Sequence, residues 1–318
     1  MSKYRHALPQ LGDTLFLTDG GMETTFIFHQ KIDLPHFASF VLMDAEDGGE
    51  RLKDYYAQYA VMAKRWGLGF ILDSPTWRAN HDWGARLGYD AAALDAINRQ
   101  AIAMLSELRE RFDAPSAPVV TSGTIGPRGD GYQAAEMMSA AEAEQYHAAQ
   151  IASFVAAGAD MVAAYTLTYP EEAIGIARAA DRAGVPVAIS FTLETDGRLP
   201  AGHSLRQAIE LVDAATGGAP AYYMINCAHP THFAGSLDDE GEWLLRLRGL
   251  RANASKRSHA ELDSSSDLDA GDPVELGRQY QALRSRHRQI TILGGCCGTD
   301  CRHVEEIRFA CTSELRAA

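Results

Sequence analysis

Three cysteines carry the strongest chemical signal in this sequence. The segment ILGGCCGTDC, residues 292–301, runs an apolar stretch into Gly294 and Gly295, then sets Cys296 beside Cys297 ahead of Gly298. Neighbouring residues on a strand point to opposite faces, so both thiols reach one ion only where the chain leaves strand geometry, and the flanking glycines permit that turn. A disulfide between adjacent cysteines would be strained. A third thiol, Cys227, ends AYYMINC, with His229 and His232 just beyond. Three thiolates suit zinc, which takes four tetrahedral ligands; three protein ligands leave the fourth position to a substrate, as in catalytic sites. The plain alternative is three buried cysteines acting as small hydrophobic residues. Three cysteines plus a substrate complete the four positions, so the two histidines are secondary candidates. Cys301 and Cys311 are read as structural residues of the closing helix.

The elements that must carry these thiols follow from the hydrophobic pattern. Short runs rich in Val, Ile and Leu alternate with longer alanine-rich stretches at helical spacing, a rhythm of parallel strands with crossover helices. Eight strands are expected, ending at Gly20, Asp73, Gly123, Tyr165, Phe191, Cys227, near Ala254, and at Gly295. Helices are expected over LKDYYAQYAVMAKRWG, DAAALDAINRQAIAMLSELRERF, SAAEAEQYHAAQIASFVAAG and PEEAIGIARAADRAG. Eight units predict a closed (β/α)8 TIM barrel in preference to a doubly wound open sheet. Strands six and eight then bring Cys227 and the cysteine pair to the same rim, where this fold places its active-site loops. The polar stretch 253–273 is expected to be a long binding loop after strand seven.

Composition narrows the function classes. The 318 residues are 46% hydrophobic and 22% charged, ordinary for a folded chain with a sizeable core. Lys and Arg total 29 against 42 acidic residues, a net charge of −13 without any basic stripe, so no nucleic-acid partner is expected. No run approaches the length of a membrane span and the start lacks the apolar core of a secretory signal, so no membrane association and a cytoplasmic location are expected. Five cysteines are too few and too odd in number for a disulfide framework, which leaves the thiols to metal, catalysis or burial.

MINCAHP and GGCCGTD, with TDGGMETT near the start, resemble the zinc-dependent homocysteine S-methyltransferase family, which includes betaine- and S-methylmethionine-dependent enzymes and the first module of cobalamin-dependent methionine synthase. VTSGTIGPRGDGY and PTWRAN resemble family segments in the same order, so the likeness covers nearly the whole chain. The resemblance implies one barrel domain over residues 1–318 with Cys227, Cys296 and Cys297 as ligands to Zn2+ and the homocysteine sulfur in the fourth position. It places Asp19 at the polar end of the amino acid, with Gly20 and Gly21 allowing close approach, and counts Asn226 among the substrate-binding positions. Family members usually carry a glutamate after the fourth strand, thought to hold the homocysteine ammonium, where this chain has Tyr165. Tyrosine brings no negative charge at neutral pH. Three readings stay open: Asp19 holds the ammonium alone, another acidic side chain replaces the glutamate, or the acceptor is a different thiol. Glu171 and Glu172 are read as first-turn residues of the helix after Pro170.

The resemblance thus leads to methyl transfer from a small cationic donor, such as S-methylmethionine, S-adenosylmethionine or betaine, to the homocysteine thiol, a step of methionine biosynthesis. The chain is too short to include cobalamin and folate modules, which favours a diffusible donor. Cationic donors gain from aromatic faces, which makes Trp77 and Tyr165 candidate donor contacts; Arg128 is a candidate for a carboxylate. The alternatives are the same zinc-thiolate chemistry on another thiol or selenol, and a zinc-binding protein without catalysis. A homo-oligomer is left open.

Overall fold

In a computed structural model, which describes residues 2–312, eight strands close into one barrel in sequence order, all parallel, with the first paired to the last. They are β1 (Phe16–Leu17), β2 (Gly69–Asp73), β3 (Val119–Ile125), β4 (Met161–Leu167), β5 (Val187–Phe191), β6 (Tyr222–Asn226), β7 (Leu247–Ala252) and β8 (Ile292–Gly295). The helices that follow them in turn are α1 (Gly48–Trp66), α2 (Ala91–Phe112), α3 (Ala140–Ala157), α4 (Pro170–Arg182), α5 (Leu205–Thr216), a single turn α6 (Pro230–Phe233), α7 (Pro273–Arg286) and α8 (Cys301–Thr312). The expected TIM barrel is therefore the fold. Among the described residues no helix is long and apolar enough to cross a membrane.

Local sequence explains where these elements begin and stop. Ser139 and Glu142 form a capping box on α3, as Ser204 and Gln207 do on α5. α1 ends on Gly67 at φ 65°, a left-handed cap that costs glycine nothing. Strand limits differ from the sequence expectation, by one residue at β6, which stops at Asn226, by about two at β7, which stops at Ala252, and at three further places. β1 leaves its ladder after Leu17, whereas β3 and β4 run on to Ile125 and Leu167. The extension of β4 includes a register shift between Ala164 and Leu167, with Thr166 at φ 63°.

Two apolar layers hold the barrel. Alternate strand residues, among them Phe16, Ile71, Val120, Met161, Ala163, Met224 and Ile292, fill the interior, while the opposite faces pack on the helices. Gly69 and Gly249 make room inside, since a Cβ would come within 2.2 Å of the Phe16 ring and 2.5 Å of Met224 Cε. The N-terminal segment closes one end: Tyr4 and Leu8 pack on the inner layer, and Asp160 accepts from the Lys3 and Tyr4 amides at 2.6 and 2.7 Å and from Arg109 at 2.9 Å. The other end, at the strand C-termini, stays open.

Candidate active site

At that open end the Cys227, Cys296 and Cys297 sulfurs all lie within 4.8 Å of one another. Cys227 follows β6 at φ 52°, a conformation rare for a residue with a Cβ and typical of functional sites. Its carbonyl is held by Asn253 Nδ2 at 3.0 Å and His259 Nε2 at 2.6 Å, so the unusual backbone is fixed from the loop after β7. Cys296 is placed by its amide on the Ala252 carbonyl at 2.9 Å, and Gly298, at φ 79°, makes the expected turn. Gly294 and Gly295 serve otherwise: a Cβ would meet Thr18 Oγ1 at 1.8 Å or Thr299 Oγ1 at 2.0 Å. Cys227 and Cys296 are joined as a disulfide with Cα atoms 5.5 Å apart, and Cys297 is a free thiol. Burial pushes the Cys297 thiol up to about 11, with the nearby Glu23 carboxyl adding to the rise. With the Cys227–Cys296 pair reduced, the three thiolates are close enough to hold one tetrahedral zinc, whose ligand sulfurs stand about 3.8 Å apart at 2.3 Å bonds. The pair must be reduced to serve as two thiolates.

Beside the sulfurs lies a buried charge network that sequence reasoning missed except for Asp19 and Tyr165. Arg251 of β7 donates to Asp19 Oδ1 at 2.5 Å, to Asp73 Oδ2 at 2.8 Å and to the Gly295 carbonyl at 3.1 Å. The Tyr55 hydroxyl takes the other Asp19 oxygen at 3.0 Å. Burial raises the Asp19 carboxyl to about 6 although Arg251 pulls it down. Tyr165 is buried, donates its hydroxyl to Asp73 Oδ2 at 2.8 Å, and has its ring centre 4.9 Å from the Arg251 guanidinium. It thus serves the network around Arg251. Asn226 fixes the β4 bulge, accepting from the Thr166 amide and donating to its hydroxyl, both at 2.8 Å.

Sulfurs and network line one cavity of about 450 Å³. Its wall includes Gly20, Gly21, Trp77 and, from the polar stretch, Ser255, Leu262, Asp263 and Asp269. That stretch also holds a short helix, His259–Asp263, capped by a Ser258/Glu261 box whose S-x-x-E signal was legible in the sequence. The space beside Gly20 and Gly21 is taken by the chain itself, since a Cβ would meet the Thr299 carbonyl at 2.9 Å or the Cys296 carbonyl at 2.6 Å. Trp77 donates Nε1 to the Tyr165 carbonyl at 3.3 Å, and one face of its ring is covered by Arg78. Further lining residues not singled out from the sequence are Glu23, Arg78, Asp130 and Tyr132. Ser39 donates to Glu23 Oε1 at 2.7 Å, and burial raises this carboxyl. The Tyr132 hydroxyl lies 3.7 Å from the Cys297 sulfur, and its ring stacks on His259 at 4.1 Å.

Other sequence candidates stand outside the cavity. Arg128 is exposed and paired with Asp82 at 2.7 Å, so that guanidinium is already engaged. Glu171 and Glu172 do occupy the first turn of α4, but Glu172 is buried, accepting from the Arg128 amide at 2.8 Å and facing His147 Nε2 at 3.0 Å. His229 caps α6 through the Thr231 amide, and burial lowers it to about 4. His232 binds the Lys256 carbonyl at 2.9 Å, and neither imidazole joins the sulfur cluster. Cys311 packs into the core and Cys301 against it, as structural residues do.

The geometry can be set beside known proteins. The chain superimposes on the homocysteine methyltransferase MmuM of Escherichia coli, with a TM-score of 0.74 and 19% identity over 97% of this chain and 99% of that one for its oxidized form. The metallated form gives 0.71 and 20% over 96% and 99%. These likenesses concern the fold. No curated protein matches the chain in sequence. The family assignment comes from the sequence pattern itself: residues 16–311, from the first residue of β1 to the last turn of α8, match the pattern described as homocysteine S-methyltransferase, and the chain belongs to that family of methyl-transferring enzymes.

Proposed function

We propose that the protein transfers a methyl group from a small cationic donor, S-methylmethionine, S-adenosylmethionine or a betaine, to the thiol of homocysteine, with Zn2+ held by Cys227, Cys296 and Cys297. The carrying observation is the cluster of three sulfurs within 4.8 Å on the wall of a closed-bottomed cavity. Zinc bound there supplies a Lewis acid that keeps a substrate thiol deprotonated at neutral pH. The chain's own residues do the rest. His259 and Asn253 hold the Cys227 carbonyl, Asn226 fixes the β4 end, and Tyr132 covers Cys297. Asp19, Asp73 and Glu23 outnumber Arg251 around the cavity floor, an excess of negative charge that suits an ammonium or a sulfonium. Orientation of two bound substrates for in-line attack is worth about 7 to 11 kcal/mol.

The test is zinc content under reducing conditions, followed by methionine formation from homocysteine with each donor. One zinc per chain and turnover with one donor are expected, and Cys297→Ala should lose both. Retention of zinc and activity in that variant overturns the ligand assignment. A second reading, another thiol acceptor, is supported by the engagement of both Asp19 oxygens within the protein. It predicts a full zinc site without turnover of homocysteine.

A further inference from the structure

The cavity holds a second guanidinium whose situation differs from that of Arg251. Arg78 follows Trp77 in the turn after β2 and is only 6% exposed. Its guanidinium carbon lies 4.0 Å from the Trp77 ring centre and 3.7 Å from that of Trp83, so two indoles fix its plane. Nη1 donates to the Gly129 carbonyl at 3.0 Å, while Nε is buried with no partner. Among the described residues no carboxylate forms an ion pair with it, whereas Arg251 has two. A buried charge left unpaired is strongly destabilising. Burial lowers this group to about 10, so it still carries its charge at neutral pH.

We propose that Arg78 binds the carboxylate of an amino-acid substrate, by the fork geometry that guanidinium offers to carboxylates. The assignment rests on the reading of this cavity as a site for homocysteine and a methyl donor. The remaining charged wall is mainly acidic, with Glu23 and Asp130 nearest in their electrostatic influence on Arg78. An anionic group is therefore repelled elsewhere and drawn to one place, while the cationic centre of the same molecule is drawn to the acidic side. The cavity is bipolar, as a zwitterion requires. The carboxylate belongs to homocysteine or to the donor, and the experiment separates these.

Calorimetric titration of the reduced, zinc-loaded protein would compare homocysteine with 3-aminopropanethiol, and S-methylmethionine with (3-aminopropyl)dimethylsulfonium. Each pair differs only in the carboxylate. Wild type should bind the carboxylated member at least tenfold more tightly in one pair, which identifies the source. Arg78→Gln, checked for a wild-type-like melting curve, should abolish that preference, and Arg78→Lys, which keeps charge without the fork, should retain part of it. Equal affinities in wild type, a preference that survives in Arg78→Gln, or no binding of any of the four overturns the inference. Methyl transfer without a carboxylate preference overturns it and leaves the proposed function intact; an Arg78-dependent preference without methyl transfer does the reverse.

Discussion

Asp19 is under opposing influences, burial raising its carboxyl and Arg251 lowering it, with a balance near 6. The ionised form is the one that accepts from Arg251 and Tyr55 and attracts a cation. We expect kcat/KM to rise with pH through about 6, and Asp19→Asn to remove that limb; a limb unchanged in the variant assigns it to another group. Stability should move the other way. An unfolded aspartate releases its proton near 4, the native one holds it to about 6, so this carboxyl favours the fold below 4 and loses that contribution as pH rises to 6. The difference in melting temperature between wild type and Asp19→Asn should follow that window. Arg251→Met strands Asp19 and Asp73 without their cation and should cost about 3 to 5 kcal/mol in denaturant unfolding. The cysteines were legible in the sequence because type and spacing together are rare. Arg251, Glu23 and Arg78 were not, since a single charged residue in a strand, a short helix or a turn has no signature until its partners, far away in sequence, are known.

The strands position chemistry by parity. Met161, Ala163 and Tyr165 point inward from β4, and the same alternation sets Asp73 above Ile71 on β2. Strand count, order and the rim of the active site could be read from the hydrophobic rhythm. The β4 bulge could not, because Thr166 turns at φ 63° in response to Asn226 of β6, a tertiary cause that local propensity does not contain. Glycines inside strands test the packing argument. Gly69→Ala drives a methyl into the rigid Phe16 ring and should cost about 1 to 3 kcal/mol in stability. As Gly69 opens β2 at the end opposite the sulfurs, kcat should change by less than twofold; a large loss of kcat at unchanged stability contradicts the separation of core from site.

For the molecule as a whole, closure matters most. The proposed ligands follow β6 and β8, with β7 between them, so one ion would clasp three of the eight strands of the barrel wall. Zinc at 1,000 times its dissociation constant adds about 4 kcal/mol to unfolding. Chelation under reducing conditions should therefore lower the melting temperature by several degrees, and Cys297→Ala should be insensitive to chelator. Arg251 acts at the same level, since its one side chain joins partners at the ends of β1, β2 and β8 from a seat on β7. That strut constrains descent. Glutamate at position 165 would add a third carboxylate around one guanidinium, and loss of Arg251 while Tyr165 remains would leave two carboxylates uncompensated. Neither single step is neutral, and both together would leave three carboxylates without a cation, so glutamate fits this place only where a further cation comes with it, and a Tyr165→Glu graft alone should give a poorer enzyme.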